Sequence, residues 1–227
     1  MSRDPRLHAR PRQPTAGASA GLHSLPLGGM RDSYLYVPPA YDPASASPLV
    51  LLLHGAGGHA QHGLDLLSHL ADESKLVLVA PASASHSWDV IVSRAYGADV
   101  ALLEQALDYV FARLAVDRSH LAIGGFSDGA SYALSLGLAN GDLFTHVIAF
   151  SPGFIAPVTP RGQPKVFISH GSRDGVLPID PCSSTIVPRL RRAEYEVAYE
   201  EFDGGHEIPE PIARRAVEWL LGERMKP

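Results

Sequence analysis

Three things are scarce in this chain: cysteine, long apolar runs and positive charge. Cys182 is the only cysteine, so no intrachain disulfide can form, and the composition fits a reducing, cytoplasmic compartment. Its thiol follows Pro181 with no glycine-rich turn around it, so it is read as an incidental residue and not a nucleophile. No apolar run approaches the roughly 20 residues of a membrane-spanning helix. The net charge of -5 argues against nucleic acid as the main partner, because a phosphate backbone needs a basic face. No Gly-x-Gly-x-x-Gly or phosphate-binding loop is present, so no nucleotide cofactor is expected. Histidine is plentiful, at 11 residues, but none pairs on a convincing helix beside a carboxylate. His54, His59 and His62 fall in or near a glycine loop, and no metal is expected.

What remains is ordinary for one globular domain: 227 residues, 45% of them apolar. Residues 1–20 carry Arg3, Arg6, Arg10 and Arg12 among prolines, then small residues, with no apolar segment of a secretory signal. That composition predicts a disordered tail ahead of a single domain spanning residues 21–227. Two short strands, over 22–27 and 33–37, open the domain as a hairpin. Apolar runs at 49–53, 76–80 and 121–124 are too short for helices and read as buried strands, and 146–150 and 166–170 read as further strands. Helical spacing appears over 61–73, 99–114, 130–138, 182–193 and 207–221, with a further strand at 196–202. The segment 83–93 reads as a polar loop. This alternation predicts an α/β fold, a mostly parallel central sheet with helices on both faces and no large cap domain.

One pentapeptide carries chemistry. Gly125-Phe126-Ser127-Asp128-Gly129 joins a buried strand to a helix rich in small residues. Gly-x-Ser-x-Gly at such a junction is the pattern of a nucleophile elbow. The turn strains the serine, and side chains two residues to either side would strike neighbouring segments. The hydroxyl then stands at a helix start, where backbone N–H groups meet developing negative charge. A Gly/Ser-rich turn without chemistry would look the same, so the rest of the chain must decide.

A serine hydroxyl needs a histidine base, oriented by a carboxylate. Elbow folds place these in the order Ser, Asp/Glu, His. Downstream of Ser127 stand His146, His170 and His206. His146 begins a strand, at the wrong end of the sheet. His170 leaves no good acid upstream. His206, in the loop Asp203-Gly204-Gly205-His206-Glu207 after the last strand, does. Asp174 follows the preceding strand and is the expected acid, with Asp180 as competitor and Asp203 too near His206 in sequence. Two N–H donors are needed for the oxyanion. Asp128, the residue after the serine, supplies one, and Ala56 in His54-Gly55-Ala56-Gly57-Gly58 the other. The Asp128 carboxylate would oppose the developing charge unless it turns away. His54 is expected to be a structural hydrogen-bonding residue.

Together, His54-Gly55-Ala56-Gly57-Gly58, Gly125-Phe126-Ser127-Asp128-Gly129, His170-Gly171-Ser172-Arg173-Asp174 and Gly205-His206-Glu207-Ile208 resemble the α/β-hydrolase superfamily. Within it, the Gly-Phe-Ser-x-Gly elbow, the acid loop, Gly-His-Glu-Ile and Ser87-Trp88 are similar to the phospholipase/carboxylesterase family, which includes acyl-protein thioesterases and small bacterial carboxylesterases. The resemblance covers residues 21–223. It implies ester or thioester hydrolysis through an acyl-enzyme, without cofactor, and the same triad of Ser127, Asp174 and His206. It also implies that Trp88 lines the substrate pocket. The chain departs from that family at Asp128, where glutamine is usual, at Ala56, and in a shortened loop over 81–94. These departures favour short or medium acyl esters over long lipids. The expectation is a serine carboxylesterase acting on small-molecule esters. Thioesterase, lysophospholipase or acyltransferase activity would use the same triad. A non-catalytic binding protein of this fold would usually lack a triad member.

Overall fold

The computed structural model describes residues 4–28 and 31–222. Eight strands form one sheet: β1 (Gly21–Ser24), β2 (Tyr34–Val37), β3 (Ser47–Leu53), β4 (Val77–Ala80), β5 (Val116–Phe126), β6 (His146–Phe150), β7 (Lys165–Gly171) and β8 (Val197–Phe202). Their spatial order is β1-β2-β4-β3-β5-β6-β7-β8. β1 and β2 pair antiparallel, and β2 runs antiparallel to β4, whereas all pairings from β4 to β8 are parallel. The expected α/β architecture with a leading antiparallel pair is therefore the one observed.

The apolar runs find their reason in this sheet. Successive side chains of a strand face opposite sides. Leu49, Leu51 and Leu53 of β3 pack with α4 (Ala98–Phe111), α5 (Asp128–Ala139) and α6 (Ser183–Arg192) on one face. Val50 and Leu52 pack with α1 (Ala60–Asp65), α2 (Ser68–Ala71) and α7 (Glu210–Leu220) on the other. A strand covered on both sides can carry no polar residue without leaving it dry.

Three expectations need correction. The helix expected over 61–73 is broken into α1 and α2, although Leu64, Leu67 and Leu70 stay buried as the spacing required. The loop expected over 83–93 contains a short helix, α3 (Asp89–Ser93). The third correction is larger. The described part of the expected disordered tail, from Asp4 onward, is folded against the domain; Met1–Arg3 lie outside the described residues. Leu7 is fully buried in the core beside α4 and α5. Its N–H donates to Asn140 Oδ1 at 2.8 Å, and Asn140 Nδ2 returns a bond to the Pro5 carbonyl at 2.9 Å. Arg10 pairs with Asp142 and Arg12 with Asp108. One leucine among prolines and arginines gives no periodic signal, so only the packed structure reveals this anchor. Leu7→Ala is expected to cost about 2–4 kcal/mol of stability, the usual range for emptying a core leucine site. Urea unfolding measures it.

Candidate active site

β5 ends at Phe126, and Ser127 occupies the turn into α5 with φ 58° and ψ -118°. A positive φ is costly for a residue with a Cβ and persists only where the surroundings enforce it. Here they do. A Cβ on Gly125 would lie 2.5 Å from the carbonyl carbon of Gly129, and one on Gly129 would collide with the Leu53 carbonyl oxygen. Both glycines are thus required by close backbone approach.

The acid and base loops meet at the same edge of the sheet. Gly171, ending β7, has no side chain to block the Gly204 and Gly205 carbonyls. Ser172 N–H donates to the Phe202 carbonyl and Arg173 N–H to the Gly204 carbonyl, each at 2.9 Å. This brings His206 between Asp174 and Ser127. His206 Nδ1 lies 2.6 Å from Asp174 Oδ2, and His206 Nε2 lies 2.9 Å from Ser127 Oγ. A carboxylate only accepts, so Nδ1 carries the proton and Nε2 is the free acceptor facing the serine hydroxyl. The Phe126 ring packs on His206 with centroids 4.6 Å apart.

Asp174 is buried and well supplied with donors. Val176 N–H and Leu177 N–H donate to its Oδ1 at 2.9 and 2.8 Å. Burial alone would raise its pKa, but the bonds from His206, Leu177 and Val176 outweigh that and hold the carboxyl below its usual range. His170, fully buried, braces this loop from beneath. Its Nε2–H donates to the Leu177 carbonyl at 2.8 Å, and Ser183 Oγ lies 2.7 Å from its Nδ1. The competing acids are elsewhere: Asp180 is exposed, and Asp203 pairs with Arg173 on the surface. His146 stands at the opposite end of its strand, against Thr145 and Trp219.

The loop after β3 lies against the elbow. A Cβ on Gly55 would touch Ser127 Cβ at 3.4 Å. The Gly55 carbonyl accepts from His54 Nδ1–H at 2.7 Å and from Gly58 N–H at 3.1 Å. Those two bonds fix the Gly55–Ala56 peptide unit. Being planar and trans, it directs the Ala56 N–H the opposite way. Asp128 opens α5, so its N–H has no acceptor in a preceding turn. Its carboxylate is tied to the loop after β4 by Ser87 Oγ–H, at 2.5 Å from Oδ2.

Trp88 corrects an expectation. It is fully buried and lines no open pocket. Its Nε1–H donates to the His54 carbonyl at 2.9 Å, and its ring stacks on Tyr132 with centroids 5.3 Å apart. It holds the loop after β3 from behind. His54 is likewise buried and structural, as the sequence suggested: Ser83 N–H donates to its Nε2 at 3.0 Å, which fixes the Nδ1–H tautomer. Among the described residues, no group of three or more His, Cys, Asp or Glu side chains is placed to hold a metal ion. No helix among them is long and apolar enough to cross a membrane.

Burial lowers the pKa of His54 from 6.5 to about 4, with a smaller contribution from the Arg31 charge. His146 is lowered to about 4 in the same way, by burial first and then by Lys165 and His120. An unfolded imidazole takes a proton near 6.5, so between those values the unfolded state binds more protons than the folded one. Stability therefore rises with pH across that window and is lost on acidification. His54 alone is expected to remove about 3 kcal/mol between pH 7 and pH 4. Urea unfolding across that interval checks this, and a flat profile contradicts it.

Comparison with known proteins adds to this geometry. A family model described as putative esterase matches residues 24–174, which includes Ser127 and Asp174 but stops short of His206. A probable feruloyl esterase C of Aspergillus terreus is 27% identical over 214 residues, covering 78% of this chain and 76% of that protein. Among solved structures, esterase PE8 superposes with a TM-score of 0.66 at 24% identity, covering 90% of this chain and 99% of its own. The S-formylglutathione hydrolase FrmB of Staphylococcus aureus superposes with a TM-score of 0.69 at 19% identity, over 91% and 99% of the two chains.

Proposed function

The chain belongs to the putative esterase family and is a carboxylic ester hydrolase of the α/β-hydrolase fold, and from that premise we propose that Ser127, His206 and Asp174 are its triad, acting on short- to medium-chain esters. One observation carries the reading: the unbroken hydrogen-bond chain from Asp174 through His206 to Ser127, with the tautomer that leaves Nε2 free.

Ser127 Oγ attacks the ester carbonyl carbon while its proton passes to His206 Nε2. The Asp174 carboxylate, ionised at neutral pH, balances the imidazolium that forms. The carbonyl oxygen, now negative, takes hydrogen bonds from the N–H groups of Ala56 and Asp128. Collapse of the adduct expels the alcohol, which receives the proton from His206, and leaves Ser127 acylated. Water then attacks the acyl carbon with His206 again as base, and the acid departs.

Phe154 and Val176 are exposed apolar side chains on loops beside the nucleophile. Phe154 follows Gly153, whose N–H bonds Ser131 Oγ one turn into α5, and Val176 is two residues from Asp174. Such a rim suits an apolar acyl or aryl group. It favours a second reading, aromatic acyl esters of the kind named for the Aspergillus relative. Thioester hydrolysis, lysophospholipase activity and acyl transfer would run on the same triad. A cytoplasmic site of action is part of this proposal, supported by the single cysteine.

The test is hydrolysis of p-nitrophenyl acetate, p-nitrophenyl butyrate, methyl ferulate and an acyl thioester by the full chain, with fluorophosphonate labelling mapped by peptide mass. Labelling at Ser127 with ester turnover is the expected result. Absence of labelling, or labelling at another residue, rejects the triad. The ratio of rates on ferulate and butyrate decides between the two substrate classes.

A further inference from the structure

The oxyanion peptide is pinned by two donors, Gly58 N–H and His54 Nδ1–H, and a single side chain from outside the central parallel sheet is linked to both residues, to Gly58 at its carbonyl and to His54 through Ser83. Arg31 lies in the connection between β1 and β2. Its Nη2 donates to the Gly58 carbonyl. Its Nη1 donates to the Ser83 carbonyl at 3.0 Å, to Ser83 Oγ at 3.1 Å and to the Ser85 carbonyl at 2.5 Å. Ser83 in turn gives its N–H to His54 Nε2, the bond that fixes the histidine tautomer. On the other side of the same loop, Gly57 N–H donates to the His86 carbonyl at 2.6 Å.

We propose that Arg31 is a positioning residue for the reaction: its planar fork ties the loop after β3 to the loop after β4 and so holds the Ala56 N–H on the developing oxyanion. The inference rests on the ester-hydrolysis reading above. A guanidinium suits the task. It spreads several donors in a fixed plane and stays charged at any working pH, so it can satisfy carbonyls from two loops at once. A lysine gathers its three donors on one nitrogen and so reaches fewer of the carbonyls. Arg31 touches neither the nucleophile nor the base, so its removal should leave proton transfer intact and loosen only the hole. Substrate binding does not depend on a tight hole, but the tetrahedral adduct does.

Arg31→Ala is therefore expected to lower kcat on p-nitrophenyl butyrate by about 10- to 100-fold, somewhat less than deleting an oxyanion donor outright. KM should stay within about twofold, the signature of an interaction made in the transition state. Affinity for a trifluoromethyl ketone, whose hemiketal oxyanion occupies the hole, should fall in parallel with kcat. Arg31→Lys should recover part of kcat, and guanidinium ion at millimolar concentration should partly rescue Arg31→Ala. If Arg31→Ala does not fold, by circular dichroism, Arg31→Lys carries the test with the same kcat-against-KM comparison and the same ketone. Unchanged kcat in the folded variant, a loss confined to KM, or ketone affinity equal to that of the wild type each overturns the proposal. Failure of the underlying reading looks different: there Ser127→Ala would keep its activity, whatever Arg31 does.

Discussion

Replacing Ser127 with alanine is expected to lower kcat for p-nitrophenyl butyrate about a million-fold, the scale of losses on deleting the nucleophile of a serine triad. Among the described residues, no other side chain is placed to take over. His206 Nε2 faces Ser127 Oγ, and the sole cysteine, Cys182, is buried, with burial raising its thiol pKa above the usual value. The fold should tolerate the change. Alanine keeps the Cβ that the strained turn already accommodates at φ 58°, and Ser127 N–H still donates to the Phe150 carbonyl at 2.9 Å. A melting temperature near that of the wild type, with only the residual rate that an intact oxyanion hole supports, is the expected pair of results. A loss below about a hundred-fold would mean that another group is the nucleophile.

Asp174→Asn should lower kcat about ten-thousand-fold while leaving the structure in place. The reason is specific to this loop. Two backbone N–H groups, from Val176 and Leu177, point at Oδ1, so an asparagine must set its carbonyl oxygen there. Its amide then faces His206 Nδ1 where a carboxylate oxygen stood at 2.6 Å. An amide N–H is a donor, so Nδ1 must become the acceptor and the proton moves to Nε2. An Nε2 that carries a proton cannot take one from Ser127. Flipping the asparagine gives no escape, because its amide would then meet two N–H donors. Near-normal kcat, with secondary structure preserved by circular dichroism, would show that Asp174 does not orient the base. Slow fluorophosphonate labelling of Ser127 in this variant would confirm that the nucleophile has lost its activation.

Much of this was legible in the residues because it is local or ordered. The elbow glycines fall within five residues, so the motif reads along the chain, although the Leu53 carbonyl as well as the turn itself excludes a Cβ there. The order of serine, acid and base, each just after a strand, is a one-dimensional trace of a parallel sheet whose strands all end at one edge. The apolar runs showed which strands are covered on both faces. Where the reading failed, the cause was tertiary. Trp88 sits in a segment that resembles a pocket loop, but its indole N–H finds the His54 carbonyl, and a satisfied, stacked indole has no reason to stay open to solvent. The first 20 residues have the composition of a tail, yet the Asn140 side chain accepts from Leu7 N–H and donates to the Pro5 carbonyl, across 133 and 135 residues of sequence.

The sequence by itself determined the fold class and singled out the candidate nucleophile and the order of its proposed partners, because backbone sterics and strand burial leave marks on neighbouring residues. Only the tertiary structure decided what holds those groups at their distances. Arg31 reaches Gly58 and Ser83, and Trp88 reaches the His54 carbonyl behind the loop after β3. These are hydrogen bonds between segments brought together by the sheet, and a bond that forms through space has no spacing along the chain to announce it.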